Sequence, residues 1–225
     1  MGILANALAI GLGGLIGCII KKELSVKKFA IFGVCVAIIS LVSFFENVYQ
    51  VENDYLKGTN LYILVFALIL GYFIGELFKL EDKVNAISKF GNQSGFMESA
   101  VFFIVGGLQI SGPILLGVSG DNSLLFLKSA IDFPFAIMFG ATKGKGVIFS
   151  SIPVAIIQLI ITAIASCFGN FISAQMVAQL CSVGYVILFF SGINMLSDDH
   201  SPIKVVNALP AILVIIIINV AISLL

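Results

Sequence analysis

A lysine and an aspartate lie four residues apart in an otherwise apolar stretch of the chain, GDNSLLFLKSAIDFPF over residues 120–135. On a helix, this spacing places Lys128 and Asp132 on one face, where the ammonium and the carboxylate can meet. At membrane depth an ionisable side chain is costly, and it therefore marks a functional site. The pair could be a structural ion pair, could exchange a proton or cation at Asp132, or could attract an anion to Lys128.

The preceding apolar stretch, SAVFFIVGGLQISGPILLGV over residues 99–118, carries polar groups near its middle. Pro113 cannot donate the backbone hydrogen bond that the carbonyl of Gln109 would accept, so the sequence predicts a kinked or unwound helix there. Within lipid, such freed backbone is tolerated where it is buried in protein or lines a wet cavity. Gln109 and Ser111 could therefore line a path, as in the discontinuous helices of transporters, or belong to a kinked packing helix.

Two carboxylates near the ends of apolar stretches complete the candidate ligand-binding residues. Glu76 lies near the inner end of its stretch and either extends toward the cytoplasm or faces an internal cavity. Asp121 lies at the start of the Lys128 stretch and is of a type that caps helix N-termini. The candidate binding residues are thus Lys128, Asp132, Gln109, Ser111, Glu76 and Asp121.

The composition places these residues in a membrane protein. Hydrophobic residues make up 60% of the 225-residue chain and charged residues 11%, against about 25% in soluble domains. The net charge is zero, which gives no indication of nucleic-acid binding. The four cysteines show no CxxC spacing, and no HExxH or GxSxG motif occurs, so we expect no metal site, no cofactor and no enzymatic activity.

A membrane-spanning helix needs about 20 mostly apolar residues, and the sequence offers eight such segments. They are Ile3–Ile20, Phe29–Phe45, Leu61–Phe78, Ser99–Val118, Leu124–Ala141, Val147–Phe168, Met176–Leu196 and Val205–Leu225. Cytoplasmic loops are enriched in lysine, and with both termini outside, every lysine except Lys57 and Lys128 falls in an inner loop. The first segment lacks a basic stretch before it, so we expect it to remain as a helix.

The predicted fold is therefore one all-α membrane domain over residues 1–225, a bundle of about eight helices, some broken or kinked at proline. An alternative merges segments four and five or makes them re-enter. An amphipathic helix on the inner surface is also predicted, because apolar residues recur at helical spacing after segment three. These residues are Leu77, Leu80, Val84, Ile87 and Phe90.

Two segments contain the GxxxG spacing that lets helix backbones approach closely in lipid. The glycines are Gly13 and Gly17 in segment one and Gly71 and Gly75 in segment three. They either pack helices within one subunit or form the interface of a homo-oligomer.

Several stretches that together span nearly the whole chain carry a family resemblance: ANALAIGLGGLIG, GYFIGELFKLE, SGDNSLLFLKSAID, GVIFSSIPVAIIQ and VNALPAIL. In these stretches the chain resembles a bacterial membrane-protein family catalogued as domain of unknown function 554. The SGD and LLFLKS strings are the most specific part. Relatives usually show a glycine-rich passage and an acidic or amide residue before the SGD, where this chain has LQISGPILLGV. The resemblance implies a multi-pass protein of the bacterial inner membrane, with no activity attached.

Together these features favour a carrier for a small ion or polar solute, with Lys128 and Asp132 as its central charges. A carrier is favoured over an ion channel because the charged pair would block a wide pore and must reorganise for passage. The strings ANALAI and VNALPAI, near the two ends of the chain, are consistent with this, since inverted repeats are common in transporters. A non-transport scaffold or assembly protein is the alternative. The expected partners are the lipid bilayer and the solute.

Overall fold

The protein, seen in a computed structural model, is α-helical throughout the residues that the structure describes, with no strand among them. These residues are 1–20, 26–51, 59–83, 95–104, 107–169, 173–196 and 203–223. The helices are α1 (Gly2–Ile20), α2 (Val26–Val51), α3 (Thr59–Leu77), α4 (Phe96–Ile104), α5 (Gly107–Ser119), α6 (Ser123–Lys143), α7 (Gly146–Phe168), α8 (Ala174–Leu196), a 3₁₀ helix (Val205–Ala208) and α9 (Pro210–Ser223). The all-α class is confirmed.

Five stretches are long and apolar enough to cross a membrane, and α4 with α5 adds a sixth if the bent pair is one crossing. The five are Gly2–Ile20, Ser123–Lys143, Gly146–Phe168, Gln175–Asn194 and Val205–Ile222. Helices α2 and α3 contribute shorter apolar stretches, Gly33–Val48 and Leu61–Leu77. Each predicted segment thus contains a helix in the described part of the chain, but the count of eight crossings is not confirmed.

The chain divides into two compact units, each built from two separate parts of the sequence. The first unit combines residues 1–28 with 85–171 and contains α1 and α4 to α7. The second combines residues 29–84 with 172–225 and contains α3, α8, α9, the 3₁₀ helix and most of α2. Lys128 and Asp132 belong to the first unit, and Glu76 belongs to the second. A single domain over the whole chain stays a prediction.

Glycines bring α1 directly onto α6 in the first unit. A Cβ atom at Gly13 would lie 2.7 Å from the carbonyl oxygen of Phe133, and one at Gly17 would overlap the carbonyl oxygen of Ile137. Such close contact of backbones is typical of helices that associate in lipid. Residue numbers increase in the same direction along both helices at this contact, so α1 and α6 run parallel.

The second unit uses its glycine pair in the same way. A Cβ atom at Gly71 would overlap Ala211, and one at Gly75 would overlap the backbone of Asn207. Both glycine pairs therefore pack helices within one chain, which is the first of the two alternatives stated above. A homo-oligomer stays a prediction.

Helices α4 and α5 together cover the whole length of α6. At one end Gly95, just before α4, lies against Lys143, the last residue of α6. At the other end Gly112 of α5 lies against Leu125, in the first turn of α6. Since α6 has 21 residues and a helix rises about 1.5 Å per residue, the pair spans roughly 30 Å. This favours one broken crossing over a re-entrant loop.

The break in this crossing lies elsewhere than the sequence predicted. Pro113 is inside α5, which is continuous from Gly107 to Ser119, and the chain bends by 56° between α4 and α5. The sequence has two consecutive glycines at this point, Gly106 and Gly107, and glycine is the weakest helix former after proline. The bend between α4 and α5 therefore lies before Pro113, and Pro113 itself is inside a continuous helix.

The parallel arrangement of α1 and α6 restricts the topology. The chain between two parallel crossings must itself cross an odd number of times. The broken α4–α5 crossing supplies one of these, so α2 and α3 either both cross the membrane or both do not. Of the residues on which the amphipathic helix was predicted, Leu77 and Leu80 are described, whereas Val84, Ile87 and Phe90 lie outside the described part of the chain.

Candidate functional site

Lys128 and Asp132 form a buried ion pair at the centre of the first unit. The Lys128 Nζ atom is 2.8 Å from Asp132 Oδ2, and the two residues are 5% and 4% exposed. The pairing follows from the local sequence, since residues four apart on a helix are neighbours. The predicted contact is confirmed, and Lys128 does not extend to the protein surface.

The lysine also links α6 to the broken helix. Its Nζ atom donates a hydrogen bond to the carbonyl oxygen of Phe103 at 3.1 Å. Phe103 lies in the last turn of α4, where the carbonyls have no partner within the helix. A cation is favoured at this position, because the C-terminal end of a helix is partly negative. The Lys128 ammonium therefore binds a carbonyl oxygen that the end of α4 leaves without a partner within the helix.

Three amides extend the ion pair into a buried polar network. Asn6 of α1 donates from Nδ2 to Asp132 Oδ2 at 2.8 Å. Gln158 of α7 donates from Nε2 to Asn6 Oδ1 at 3.0 Å and to Gln109 Oε1 at 2.8 Å. Gln109 of α5 donates from Nε2 to the carbonyl oxygen of Val154 at 3.4 Å. Four helices thus bring one side chain or more to a single network.

The network leaves one atom without a partner. Among the buried side-chain nitrogen and oxygen atoms of the described residues, only Gln158 Oε1 has no hydrogen bond. Asn6 and Gln158 are fully buried and Gln109 is 1% exposed, so water at the protein surface does not reach them.

Apolar side chains close the network toward both ends of α6. Toward Lys143, rings from α4 and α6 pack in edge-to-face or tilted pairs with centroids 5.1 to 5.9 Å apart. These rings belong to Phe102, Phe103, Phe135 and Phe139. Toward Ser123, the fully buried Leu125 packs beneath Gly2 and Gly112. The polar network is therefore sealed at both ends in this conformation.

The structure separates the remaining predicted site residues. Ser111 is half-buried on α5, two residues beyond Gln109. Asp121 is exposed, and its Oδ1 atom accepts the backbone N–H of Ser123 at 2.8 Å, which makes it a turn residue at the start of α6. The neighbouring Asn122 accepts the backbone N–H of Gly2 at 2.7 Å. Asp121 therefore lies outside the buried network.

Glu76 belongs to a different cluster, in the second unit. Its Oε2 atom accepts a hydrogen bond from Asn207 Nδ2 at 2.6 Å, and its Oε1 atom is 3.6 Å from Lys204 Nζ. Lys204 is also 3.7 Å from Asp82. The carboxylates of Asp82 and then Glu76 raise the pKa of Lys204. Each unit therefore holds an asparagine that donates to a lysine-paired carboxylate, and these asparagines come from the similar strings ANALAI and VNALPAI.

A half-buried glutamate supports this second cluster. Glu81 accepts the backbone N–H of Val206 at 2.8 Å, while its own N–H donates to Asn207 Oδ1 at 2.9 Å. Burial raises the pKa of Glu81, against the lowering effects of the Val206 N–H and Lys204. The cluster joins the end of α3 to the start of the 3₁₀ helix.

Sequence reasoning missed Asn6 and Gln158 as site residues. Asn6 is fully buried and donates a hydrogen bond to Asp132. The one sequence signal was an amide in each of two strongly apolar segments, where an unpaired polar group would be costly. In the part of the chain that the structure describes, no group of three or more His, Cys, Asp or Glu side chains could hold a metal ion.

Sequence comparisons identify the family of the chain. A family model described as protein of unknown function (DUF554) matches residues 1–220. The chain belongs to this family. The resemblance inferred from the motifs is therefore confirmed, and every residue of the buried network lies within the matched region.

Two curated relatives are similar over much of their length. The chain is 32% identical over 232 residues to the Uncharacterized protein YqgA of Escherichia coli (strain K12), covering 95% of this chain and 93% of the relative. It is 24% identical over 156 residues to the Uncharacterized membrane protein YdfK of Bacillus subtilis (strain 168), covering 68% of this chain and 67% of the relative. No solved structure matches. The apolar helices and the membrane relative indicate a multi-pass membrane protein.

Proposed function

We propose that this DUF554 protein is a membrane carrier for a small ion or polar solute, with a path through the first unit centred on Lys128 and Asp132. The observation that carries the proposal is the bond from the buried Lys128 ammonium to the Phe103 carbonyl at the end of a broken helix. It joins the charged centre to the part of the unit where a crossing is discontinuous.

The buried charges of Lys128 and Asp132 carry an energetic cost. Burying an ion pair removes several kcal/mol of hydration for each ion, and an apolar pair of similar volume is often as stable or more stable. Folding alone therefore does not require Lys128 and Asp132. A site that must bind and release a charged or polar solute does require them, because its charges provide the attraction that lipid lacks.

A carrier fits the geometry better than an open channel. The phenylalanine cluster of α4 and α6 closes the network on one side, and Leu125 closes it on the other. Passage requires the broken α4–α5 crossing to move, and that movement changes the bond between Lys128 and Phe103. Transporters commonly use discontinuous helices in this way around a fixed midplane site. The proposed orientation, in the inner membrane with both termini outside, rests on the lysine distribution.

A second candidate is a scaffold in which the pair is structural. One observation favours it: Lys128 and Asp132 are almost fully buried, and each has two hydrogen-bonding or ionic partners within the unit. In that case an apolar replacement of both residues would preserve the fold and leave function intact.

Flux measurements separate the two candidates. Purified protein is reconstituted into lipid vesicles and screened for uptake of sodium, potassium, chloride and small organic anions. The variants are Asp132→Asn and the charge-free double variant Lys128→Met/Asp132→Leu. Glu98→Gln is the matched control, because Glu98 is an exposed carboxylate paired with Lys143 at the end of α6.

We expect flux in wild type and in Glu98→Gln and a loss of flux in both other variants, with the double variant remaining folded. The carrier function is contradicted if no tested solute crosses in wild type. It is also contradicted if the folded double variant transports as fast as wild type, since the charges would then serve packing alone.

A further inference from the structure

The hydrogen-bond direction among the three buried amides is fixed by two groups that can only accept. The Asp132 carboxylate accepts from Asn6 Nδ2, so Asn6 directs its Oδ1 atom toward Gln158. The Val154 carbonyl accepts from Gln109 Nε2, so Gln109 directs its Oε1 atom toward Gln158. Gln158 donates to both oxygens from Nε2, and its own Oε1 atom has no partner.

Three amide oxygens therefore lie around a single donor atom, Gln158 Nε2. This nitrogen is 3.0 Å from Asn6 Oδ1 and 2.8 Å from Gln109 Oε1. The oxygen and the nitrogen of one amide group are about 2.3 Å apart, so Gln158 Oε1 lies no more than roughly 5 Å from either of the other oxygens. A donor atom that makes hydrogen bonds of about 3 Å can contact oxygens up to roughly 6 Å apart. One small molecule can thus reach all three oxygens.

Gln158 is the amide that can leave its present place. Asn6 is held at its other end by Asp132, and Gln109 is held by the Val154 carbonyl. The Oε1 end of Gln158 has no such contact. A donor that enters between Asn6 Oδ1 and Gln109 Oε1 replaces both bonds of Gln158 Nε2, and the Gln158 amide can then turn its oxygen toward the same donor. Since an amino group already lies at this point, an N–H or O–H group of similar size fits there.

The three oxygens come from two pairs of helices that meet at the network. Helices α5 and α7 are joined by three hydrogen bonds whose partners are each 49 residues apart. The bonds run from Gln158 to Gln109 Oε1, from Thr162 to the Pro113 carbonyl oxygen and from Ser166 to the Gly117 carbonyl oxygen. Helix α1, which carries Asn6, packs on α6 through Gly13 and Gly17. The bond from Gln158 to Asn6 connects the two pairs, so a movement of one pair against the other breaks it and opens the three oxygens.

The charges of the network favour a neutral solute at this place. The Lys128 ammonium and the Asp132 carboxylate are paired at 2.8 Å, and their charges cancel. An entering ion of either sign would leave an uncompensated charge in the buried interior, which is costly. Three acceptor oxygens also repel a solute that can only accept hydrogen bonds. A neutral solute with N–H or O–H donors meets both conditions.

We propose that Asn6 Oδ1, Gln109 Oε1 and Gln158 Oε1 form the binding site for a small neutral solute that donates hydrogen bonds. The Gln158 amino group occupies the donor position in this conformation, and the solute replaces it. This inference rests on the proposed carrier function and names its substrate class. Lys128 and Asp132 stay paired, and Asp132 orients the Asn6 amide so that its oxygen faces the solute.

Uptake into lipid vesicles tests this chemistry. Urea, acetamide and glycerol are neutral and carry N–H or O–H donors, whereas trimethylamine N-oxide has no net charge and can only accept. These four solutes are added to the flux screen, and stopped-flow light scattering follows their uptake at a series of outside concentrations. We expect saturable uptake of at least one donor solute above the rate of protein-free vesicles, and no such increase for trimethylamine N-oxide.

Two variants locate the site. Gln158→Met and Gln109→Met each keep a side chain of similar length and remove one of the three oxygens. Each should raise the half-saturation concentration of the donor solute by roughly twofold to tenfold, the range for a hydrogen bond between neutral groups. Each should also narrow the discrimination against trimethylamine N-oxide. Gln179→Met is the matched control and should change neither quantity, because Gln179 is a buried glutamine of the second unit that accepts from Asn219.

The proposal is overturned if no donor solute enters faster than into protein-free vesicles, or if trimethylamine N-oxide enters as fast as the donor solutes. Both results come from wild type alone and do not depend on how well a variant folds. It is also overturned if Gln158→Met and Gln109→Met, shown by thermal unfolding to be folded, transport like Gln179→Met. Amides with a purely structural role would give that last result.

Failure of the carrier function has a different outcome. Flux of an ion or an organic anion without flux of the neutral donors would refute this site and leave the carrier standing. Absence of flux for every solute in the screen would refute the carrier itself.

Discussion

Removing either partner of the buried pair should destabilise the protein with opposite dependence on pH. Lys128→Met leaves the Asp132 carboxylate in the network with the hydrogen bond from the Asn6 amide. Asp132→Asn leaves the Lys128 ammonium with the Phe103 carbonyl and an amide oxygen. In each variant one charge is buried without its counter-charge, and the variant can escape the cost only by changing its protonation.

The expected loss in the free energy of unfolding can be estimated in two ways, from the cost of breaking a buried ion pair and from the cost of neutralising the remaining charge. Breaking a buried pair costs about 3–5 kcal/mol. Protonating an aspartate in water at pH 7 costs about 4 kcal/mol, and deprotonating a lysine costs about 4–5 kcal/mol. These estimates agree, so each single variant should lose roughly 4 kcal/mol at pH 7. The double variant Lys128→Met/Asp132→Leu should stay close to wild type, because no charge is left alone.

The change in stability with pH tests this prediction more sharply than the loss at a single pH. In Lys128→Met the folded state binds one proton more than the unfolded state, so its stability falls by about 1.4 kcal/mol per pH unit as the pH rises. In Asp132→Asn the folded state binds one proton fewer, so its stability rises with pH by the same amount. For a chain of this size, a loss of 1 kcal/mol lowers the melting temperature by about 2–4 °C.

Thermal unfolding in detergent between pH 6 and pH 8 measures both slopes. As the pH rises, we expect the melting temperature of Lys128→Met to fall relative to wild type. The melting temperature of Asp132→Asn should rise relative to wild type over the same range. Parallel pH profiles, or losses below about 1 kcal/mol in both variants, would show that the pair is hydrated and would refute the reasoning from burial.

Three further predictions concern packing, titration and topology. Gly17→Ala should lower the melting temperature strongly because its Cβ would overlap the α6 backbone, whereas Gly11→Ala, whose Cβ would have its nearest neighbour at 3.9 Å, should be neutral or stabilising. The wild-type stability should fall as the pH rises from 4.5 through the raised pKa of Glu81, and Glu81→Gln should remove that fall while keeping an oxygen for its backbone donor. Cysteines introduced singly at Asp121 and Lys143, at opposite ends of α6, should react with impermeant reagents from opposite sides of the membrane.

Each of these predictions has an outcome that contradicts it. Equal melting temperatures for Gly17→Ala and Gly11→Ala would mean that α1 and α6 are not in backbone contact. An unchanged pH profile in Glu81→Gln would mean that Glu81 is hydrated. Labelling of the Asp121 and Lys143 positions from the same side would show that α6 does not cross the membrane.

The local sequence determined those features that depend on residues close together in the chain. The apolar segments predicted the helices because burying a backbone in lipid requires internal hydrogen bonds. The spacing of Lys128 and Asp132 predicted their contact because a helix brings residues four apart together. The glycine spacing predicted close helix packing, and the motifs predicted the family. In each case the physical cause acts within a few residues.

The tertiary structure decided which distant groups meet these local features. Asn6 and Gln158 lie 126 and 26 residues from Asp132 in sequence, and nothing in their own apolar segments indicates which carboxylate or amide they contact. The position of the bend between α4 and α5 was decided by the tertiary structure, and the bond from Lys128 to Phe103 lies at this bend. Apolar helices offer many equivalent faces to one another, so the pairing of helices, and with it the orientation of Gln158 Oε1, is set by packing of the whole unit. The sequence thus predicted the charged pair, and the tertiary structure decided which buried amides join it in one hydrogen-bond network.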